Sequence, residues 1–183
     1  MPRSIYGARY INYLTEKLKD MHTSHTHIIP TPVGPLTIIG DKQAINTLTF
    51  KEGITPSHES LPDSMLLCIE ELEAYFAGGL QQFTFPIAQP GTEFQQTVWQ
   101  QLTTIPYGQT ISYLQLAQRI NNPKSIRAVG TTNGRNRIAI VVPCHRVIGS
   151  NGALTGYAGG LWRKKWLLEH EMKQKFGGNG KLF

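Results

Sequence analysis

The chain has 183 residues, 40% of them hydrophobic, and 18 Lys and Arg against 12 Asp and Glu give it a net charge of +6. That length forms one domain or two small ones sharing an interface, and no apolar run approaches the roughly 20 residues of a membrane-spanning helix. Two cysteines, Cys68 and Cys144, make no disulfide framework. With two early arginines but no apolar leader or small-residue cleavage site behind them, the expectation is a cytoplasmic protein with free thiols.

Residues 1–20 place Tyr6, Tyr10, Tyr13, Leu14 and Leu18 at roughly helical spacing, followed by Met21. This is either a short amphipathic segment or an upstream extension with Met21 as the natural start. His22, His25 and His27 follow, but no cysteine or carboxylate lies among them, so a solvated stretch is expected rather than a metal site. From Ile28 to Phe50 the pattern is strand-like, punctuated at Pro32-Val-Gly-Pro35 and Gly40-Asp41. Ser64 to Phe76 is predicted helical, with Met65, Ile69, Leu72 and Phe76 on one stripe and Gly78-Gly79 beyond it. Cys68 falls beside that stripe, where a small buried hydrophobe is expected. Phe83-Thr-Phe85 is a candidate further strand.

Charge changes sign at this point. Up to Gly91 there are 6 Lys and Arg against 9 Asp and Glu; from Thr92 onward the count is 12 against 3. A basic second half suggests a polyanionic partner, with a solvated basic surface as the alternative. Thr92 with Gln95 and Ser112 with Gln115 are capping-box spacings, each opening a helix. The first turns Phe94, Val98 and Leu102 inward and ends at Pro106-Tyr-Gly108; the second covers about 112–120. After Asn121-Asn122, Pro123 suits a first helical position, and a third helix runs toward Gly134. Two short helices joined by this turn form a helix-turn-helix candidate whose second helix carries Lys124 and Arg127 and leads to Arg135 and Arg137.

The run Ile138-Ala-Ile-Val-Val-Pro143-Cys144-His145-Arg146-Val147-Ile148 carries the chemistry. The β-branched stretch predicts a short buried strand that holds Cys144 at its end, with Pro143 closing regular pairing. A thiol becomes a useful nucleophile when a neighbouring base such as His145 takes its proton. Gly156-Tyr-Ala-Gly-Gly160 is then a loop where backbone can approach a ligand closely. A last helix from Leu161 to about Met172 puts Lys164, Leu168 and Glu171 on one face.

Several motifs occur together in order and spacing: Phe94 with Val98-Trp99, Ile105-Pro-Tyr-Gly108, Ser112-Tyr113, Arg127-Ala-Val-Gly130, Asn133-Gly-Arg-Asn136, Pro143-Cys-His-Arg-Val-Ile148, Gly156-Tyr-Ala-Gly-Gly-Leu161 and Trp166-Leu-Leu-Glu-His-Glu171. Together they resemble the methylated-DNA–protein-cysteine methyltransferases, also called 6-O-methylguanine-DNA methyltransferases. The resemblance covers Thr92 to about Met172; upstream, Thr31-Pro-Val-Gly-Pro-Leu36 is compatible but less distinctive.

The resemblance implies an α/β N-terminal subdomain, ribonuclease H-like, over 27–90, then a mainly α winged helix-turn-helix domain over 91–174. Residues 1–26 would be an extension and 175–183 a tail. The implied activity is irreversible transfer of the alkyl group of 6-O-methylguanine, and of 4-O-methylthymine, to Cys144 in a single turnover. His145 would take the thiol proton through a water, Glu171 would orient and compensate the imidazolium, and Asn136 would hold the turn leading to Cys144. Arg127 would enter the DNA stack where the damaged base leaves it. Tyr113 would press on the phosphate and protonate the departing guanine. Tyr157 and the Ala158 amide would line the base pocket, with Lys164 near its polar edge, while Lys124 and Arg135 would meet DNA. The implied partner is double-stranded DNA carrying 6-O-alkylguanine, met by a monomer in the cytoplasm and on the nucleoid when bound, with no membrane, metal or cofactor.

Arg137 departs from the family, which usually has proline there. The zinc ligands of some relatives have no counterpart, nor has the cysteine-rich regulatory domain of others. Two other readings compete: a winged-helix protein that binds alkylated DNA without accepting the alkyl group, and a Cys144–His145 hydrolase, which gives no reason for the helix-turn-helix.

Overall fold

The computed structural model describes residues 23–177 except Glu52 and Glu59. The expectations for residues 1–20, for His22 and for the end of the tail lie outside the described residues. Strands β1 (His25–Ile29), β2 (Leu36–Gly40) and β3 (Ile45–Thr49) form an antiparallel sheet in that order. The Thr31–Gly34 turn closes with a Gly34 N–H to Thr31 O bond of 3.0 Å, and Gly34 takes a φ of +93° that a side chain would oppose. The Asp41 carboxylate accepts from the N–H groups of Gln43 and Ala44, which makes the tight turn into β3.

Helix α1 (Asp63–Phe76) packs on this sheet. Its most buried line is Met65, Cys68, Leu72 and Tyr75, all fully inside. Ile69 and Phe76, placed on the predicted stripe, are only partly buried. The helix has therefore turned toward Tyr75, whose hydroxyl finds a distant partner described below. Cys68 is a buried small hydrophobe as expected, its thiol pushed up to about 12 by burial and then by Glu71.

In the second half, α2 (Glu93–Thr103) and α3 (Tyr113–Arg119) both start with the expected reciprocal capping boxes, on Thr92 and Ser112. Val98 and Leu102 are fully buried, and each such side chain stabilises the fold by about 1.5–3 kcal/mol. Asn121 reverses the chain at φ +55°, a conformation asparagine tolerates. A 3-10 turn Pro123–Ser125 then leads into α4 (Ile126–Gly134). Trp99 Nε1–H donates to Thr132 O at 3.1 Å and ties α2 to α4. The last helix is α5 (Leu161–Phe176), closed by Gly177 in the left-handed region.

Two predicted strands do not form. Around Phe83–Phe85 the pairing residue is Ile87, which makes one parallel bridge to Ile45; Phe83 instead meets Phe85 edge-to-face and packs against Tyr75. The apolar run before Cys144 also makes only one bridge, Ile138 to Leu48 of β3. Beyond it the chain coils. The Val141 N–H bonds Ala139 O at 2.9 Å around Ile140, whose φ is +73°. The Cys144 N–H bonds Val142 O at 2.8 Å around Pro143, at φ −81° and ψ 62°, an inverse γ-turn. Ile138, Ile140 and Val142 are all buried, so the run is apolar because it is packed, and turns satisfy the hydrogen bonds that a ladder would. Periodicity cannot separate these cases in a short apolar run. A β-branched residue at positive φ is strained by about 1–3 kcal/mol and persists only where its surroundings enforce it.

Both bridges sit on the outer edge of β3. Leu48 N–H donates to Arg137 O and Leu48 O accepts from Ala139 N–H, at 2.8 and 3.0 Å. The N-terminal sheet thus fixes the loop that carries Cys144. On its other side the two-residue strands β4 (Ile111–Ser112) and β5 (Val147–Ile148) pair in parallel and lock the segment after Cys144 to the start of α3.

Candidate active site

Cys144 opens a 3-10 turn, Cys144–Arg146, and is 6% exposed. Asn136, in the connection out of α4, organises everything before it. Its Nδ2 donates to Val142 O at 2.7 Å, to Ile138 O at 3.3 Å and to Cys144 Sγ at 3.2 Å, while its Oδ1 accepts from Ile138 N–H at 3.0 Å. One amide therefore holds both ends of the coiled run and points a donor at the sulfur. Burial pushes the Cys144 thiol up; the Asn136 amide, the Lys164 charge and the backbone N–H groups of Cys144 and His145 pull against it. Burial thus favours the protonated thiol at rest.

The candidate base is the next residue in the chain. His145 is fully buried, and its Nε2 lies 2.7 Å from Glu171 Oε1. The carboxylate makes Nε2 the protonated nitrogen, so Nδ1, which is buried and has no partner, is the proton acceptor. Burial lowers the imidazole below its usual range, partly offset by Glu171. Glu171 is the hub of the site. Oε1 also accepts from Tyr75 OH and Arg146 Nη2, each at 3.0 Å; Oε2 accepts from Gly108 N–H at 3.0 Å and Arg146 Nε at 2.9 Å. Burial alone would raise this carboxyl, but His145 and Arg146 outweigh it and hold it well below the usual carboxylate range.

Tyr75 and Arg146 were not singled out in the sequence. Arg146 stands inside the Pro-Cys-His-Arg run and also donates to Ile105 O at 2.6 Å. Tyr75 lies 96 residues from Glu171, and nothing local marks it.

Lys164 is also fully buried. Its Nζ donates to Val147 O at 2.6 Å and Thr155 O at 2.7 Å, and burial lowers it to about 8. It ties the strand after Cys144 to the loop before Tyr157. Tyr113 OH donates to the same Thr155 O at 3.2 Å.

A cavity of about 30 Å³ adjoins Cys144, lined by Leu48, Phe50, Asn133, Asn136, Tyr157 and Ala158 among others. That is room for a water, not for a purine. Of the sequence-predicted residues, Cys144, Asn136, Tyr157 and Ala158 meet here, and His145 and Glu171 lie behind Cys144. Tyr113 and Lys164 contact the loop and do not line the cavity. Lys124, Arg127 and Arg135 are exposed on and around α4 and touch none of these groups. A larger crevice of about 980 Å³ opens beside Ile140–Pro143, between Phe83, Tyr107 and Lys175, but Cys144 does not reach it. No group of three or more metal-ligating side chains occurs among the described residues.

Residues 93–173 match the family described as the 6-O-methylguanine DNA methyltransferase DNA-binding domain, and residues 25–89 match its ribonuclease-like domain. The methylated-DNA–protein-cysteine methyltransferase of Methanosarcina acetivorans is 48% identical over 151 residues, 79% of this chain and 96% of that one.

This chain belongs to that methyltransferase family.

The Mycobacterium tuberculosis enzyme of the same name is 47% identical over 80% of this chain and 92% of its own. The crystal structure titled Mycobacterium tuberculosis OGT in complex with DNA superposes with a TM-score of 0.75 at 46% identity, covering 82% of this chain and 94% of that one. The two-part architecture of the family is present: a small sheet domain, then a helical DNA-binding domain. Within it, the candidate site draws on both parts, since β3 holds the Cys144 loop and α1 supplies Tyr75 to Glu171.

Proposed function

We infer that the protein repairs alkylated DNA by moving the methyl group of 6-O-methylguanine onto its own Cys144, once per molecule. The observation that carries this reading is the buried relay His145–Glu171 behind a cysteine that Asn136 holds at a cavity wall. His145 Nδ1 takes the thiol proton through a water. The thiolate then attacks the methyl carbon in line, the carbon–oxygen bond breaks, and its electron pair returns to the guanine. Tyr113 supplies the proton that completes the departing base. Glu171 compensates the imidazolium and orients it. The product is a thioether with no acidic proton and no good leaving group, so the chain is spent.

The donors for such a reaction are all side chains and backbone groups of this chain, and the displacement asks for no metal or cofactor. The methyl group is enclosed in a duplex, so the nucleotide leaves the stack, at a cost of a few kcal/mol that weakened pairing reduces. Arg127, exposed on α4, fits the space the base vacates, and Lys124 and Arg135 fit phosphate contacts. We read α3, the 3-10 turn and α4 as a winged helix-turn-helix with α4 as the recognition helix on double-stranded DNA, bound by a monomer. Because the cavity is smaller than a purine, the loop carrying Tyr157 and Ala158 moves aside as the base enters. No helix among the described residues is long and apolar enough to cross a membrane, which is compatible with a cytoplasmic, DNA-bound protein.

The test is incubation with a duplex carrying one 6-O-methylguanine, followed by peptide mass analysis. One methyl on the Cys144 peptide, saturating at one per protein and abolished in Cys144→Ala, is the expected result. Unmodified protein that still bound the duplex would favour the non-catalytic binder.

A further inference from the structure

We propose that the crevice beside Ile140–Pro143 is a binding site for an aromatic carboxylic acid, separate from the cavity at the Cys144 sulfur. The crevice holds about 980 Å³, within the roughly 300–1,000 Å³ of small-molecule sites. The cavity beside Cys144 holds about 30 Å³, and the two share no lining residue. Neither Cys144, His145 nor Glu171 lines the crevice, so the alkyl-transfer chemistry leaves it without a role.

Its walls select a flat ring. Phe83, Phe85 and Tyr107 are aromatic, and Ile105, Ile140 and Pro143 complete the apolar lining. Phe83 meets Phe85 edge-to-face with centroids 5.7 Å apart, and Tyr75 meets Tyr107 edge-on at 6.1 Å. Rings fixed by such contacts present a firm surface on which another ring packs.

Its charge selects an anion. Arg146 and Lys175 are the charged residues of the lining, and no carboxylate stands among them. Arg146 is already matched by both oxygens of Glu171. Lys175 makes no ion pair among the described residues; its Nζ donates to Tyr107 O at 2.8 Å and lies 5.3 Å over the Phe176 ring. An ammonium carries three protons to donate, so two remain for a ligand. Tyr107 is 7% exposed, and its hydroxyl is buried without a partner. A buried donor lacking an acceptor costs free energy that the fold leaves unrecovered. A carboxylate on Lys175 with its ring between the aromatic walls, and an acceptor for Tyr107, completes the site. Such an occupant packs on Ile140 and Pro143, about which the chain coils into Cys144, and stabilises that folded loop by mass action. In the sequence, Phe83-Thr-Phe85, Tyr107 and Lys175 fall in three separate segments with no sign that they share a cleft.

The experiment titrates 2-naphthoate, and separately its uncharged amide 2-naphthamide, into the full chain and follows both by NMR. Cross-relaxation from the naphthalene protons to methyl groups locates the bound ring. One acid per protein is expected, with cross-peaks to Ile105 and Ile140, and the amide should bind about fivefold more weakly or worse. Lys175→Met keeps an apolar stem and removes the ammonium; it should weaken the acid by about fivefold and bring acid and amide to about equal affinity. Thr103→Trp places a bulky ring on the crevice wall at the exposed end of α2 and should abolish binding of both, which keeps the test open should the first variant fail to fold. Equal affinity for acid and amide in wild type, an unchanged acid affinity in either variant, cross-peaks to Ala158 in place of Ile105 and Ile140, or no saturable binding overturns the assignment. Each of these outcomes leaves alkyl transfer to Cys144 standing.

Discussion

Replacing Glu171 by glutamine tests whether one buried carboxylate supports both fold and chemistry. Oε1 accepts from Tyr75, His145 and Arg146, and Oε2 from Gly108 and Arg146. Whichever way the amide is placed, its NH2 faces at least two donors, and the Arg146 guanidinium loses its counter-charge inside the protein. Removing one partner of a buried pair costs about 3–5 kcal/mol, a large share of a typical total of about 5–15 kcal/mol. The imidazolium formed when His145 takes the thiol proton also loses an ionic hydrogen bond worth about 1.5–3 kcal/mol. At 1.4 kcal/mol per factor of ten, transfer should slow by about ten- to a hundredfold. Urea unfolding followed by tryptophan fluorescence gives the first quantity, and rapid-quench transfer from a lesion duplex the second. Tyr75→Phe is the graded control: it removes one donor of five and should cost about 1 kcal/mol. A Glu171→Gln protein destabilised by less than 1 kcal/mol, or reacting within twofold of wild type, would refute the hub.

The pH profile follows from His145. Its imidazole is lowered from 6.5 by burial, so it stays neutral and able to accept a proton until the pH falls below that value. The transfer rate should fall along an acid limb centred below pH 6.5, and a limb centred above it would contradict the geometry. Stability runs the same way: the unfolded imidazole binds its proton first, so the fold weakens as pH drops through about 6.5. It weakens again below about 4.3, as Glu171, depressed in the fold, is protonated in the unfolded chain; denaturation midpoints against pH check both. Arg163 joins the sheet domain to the base loop, donating to Val33 O and Gly159 O at 2.7 Å each, with its guanidinium against Phe50 and Trp162. Arg163→Ala should cost about 2–3 kcal/mol by chemical denaturation and slow transfer, and a change under 0.5 kcal/mol would discount the clamp. Cys68, raised to about 12 and fully buried, should resist iodoacetamide in native protein at pH 8, and peptide mapping that found it labelled would show an open core.

Local signals in the sequence determined local structure well. The two capping boxes and the turn at Asn121 depend on bonds within four or five residues, and they stand where their residue types predicted, whereas the last helix runs to Phe176 rather than Met172. The Pro-Cys-His-Arg run, with Asn136 before it and Glu171 one helix later, was legible as chemistry because the motif's order survives in one dimension. What only the tertiary structure decided are properties of distant partners. The β-branched run before Cys144 was readable as buried, but whether it pairs or coils depends on the free edge of β3, about ninety residues upstream. Helical spacing put Lys164 on one face with Glu171 but could not say that Val147 O and Thr155 O would close over its ammonium. Tyr75 and Arg146 meet at Glu171, and Asn133 keeps an unpaired oxygen beside Cys144. Each depends on hydrogen-bond satisfaction in the folded interior, which is set by which elements meet in space rather than by any segment's own residues.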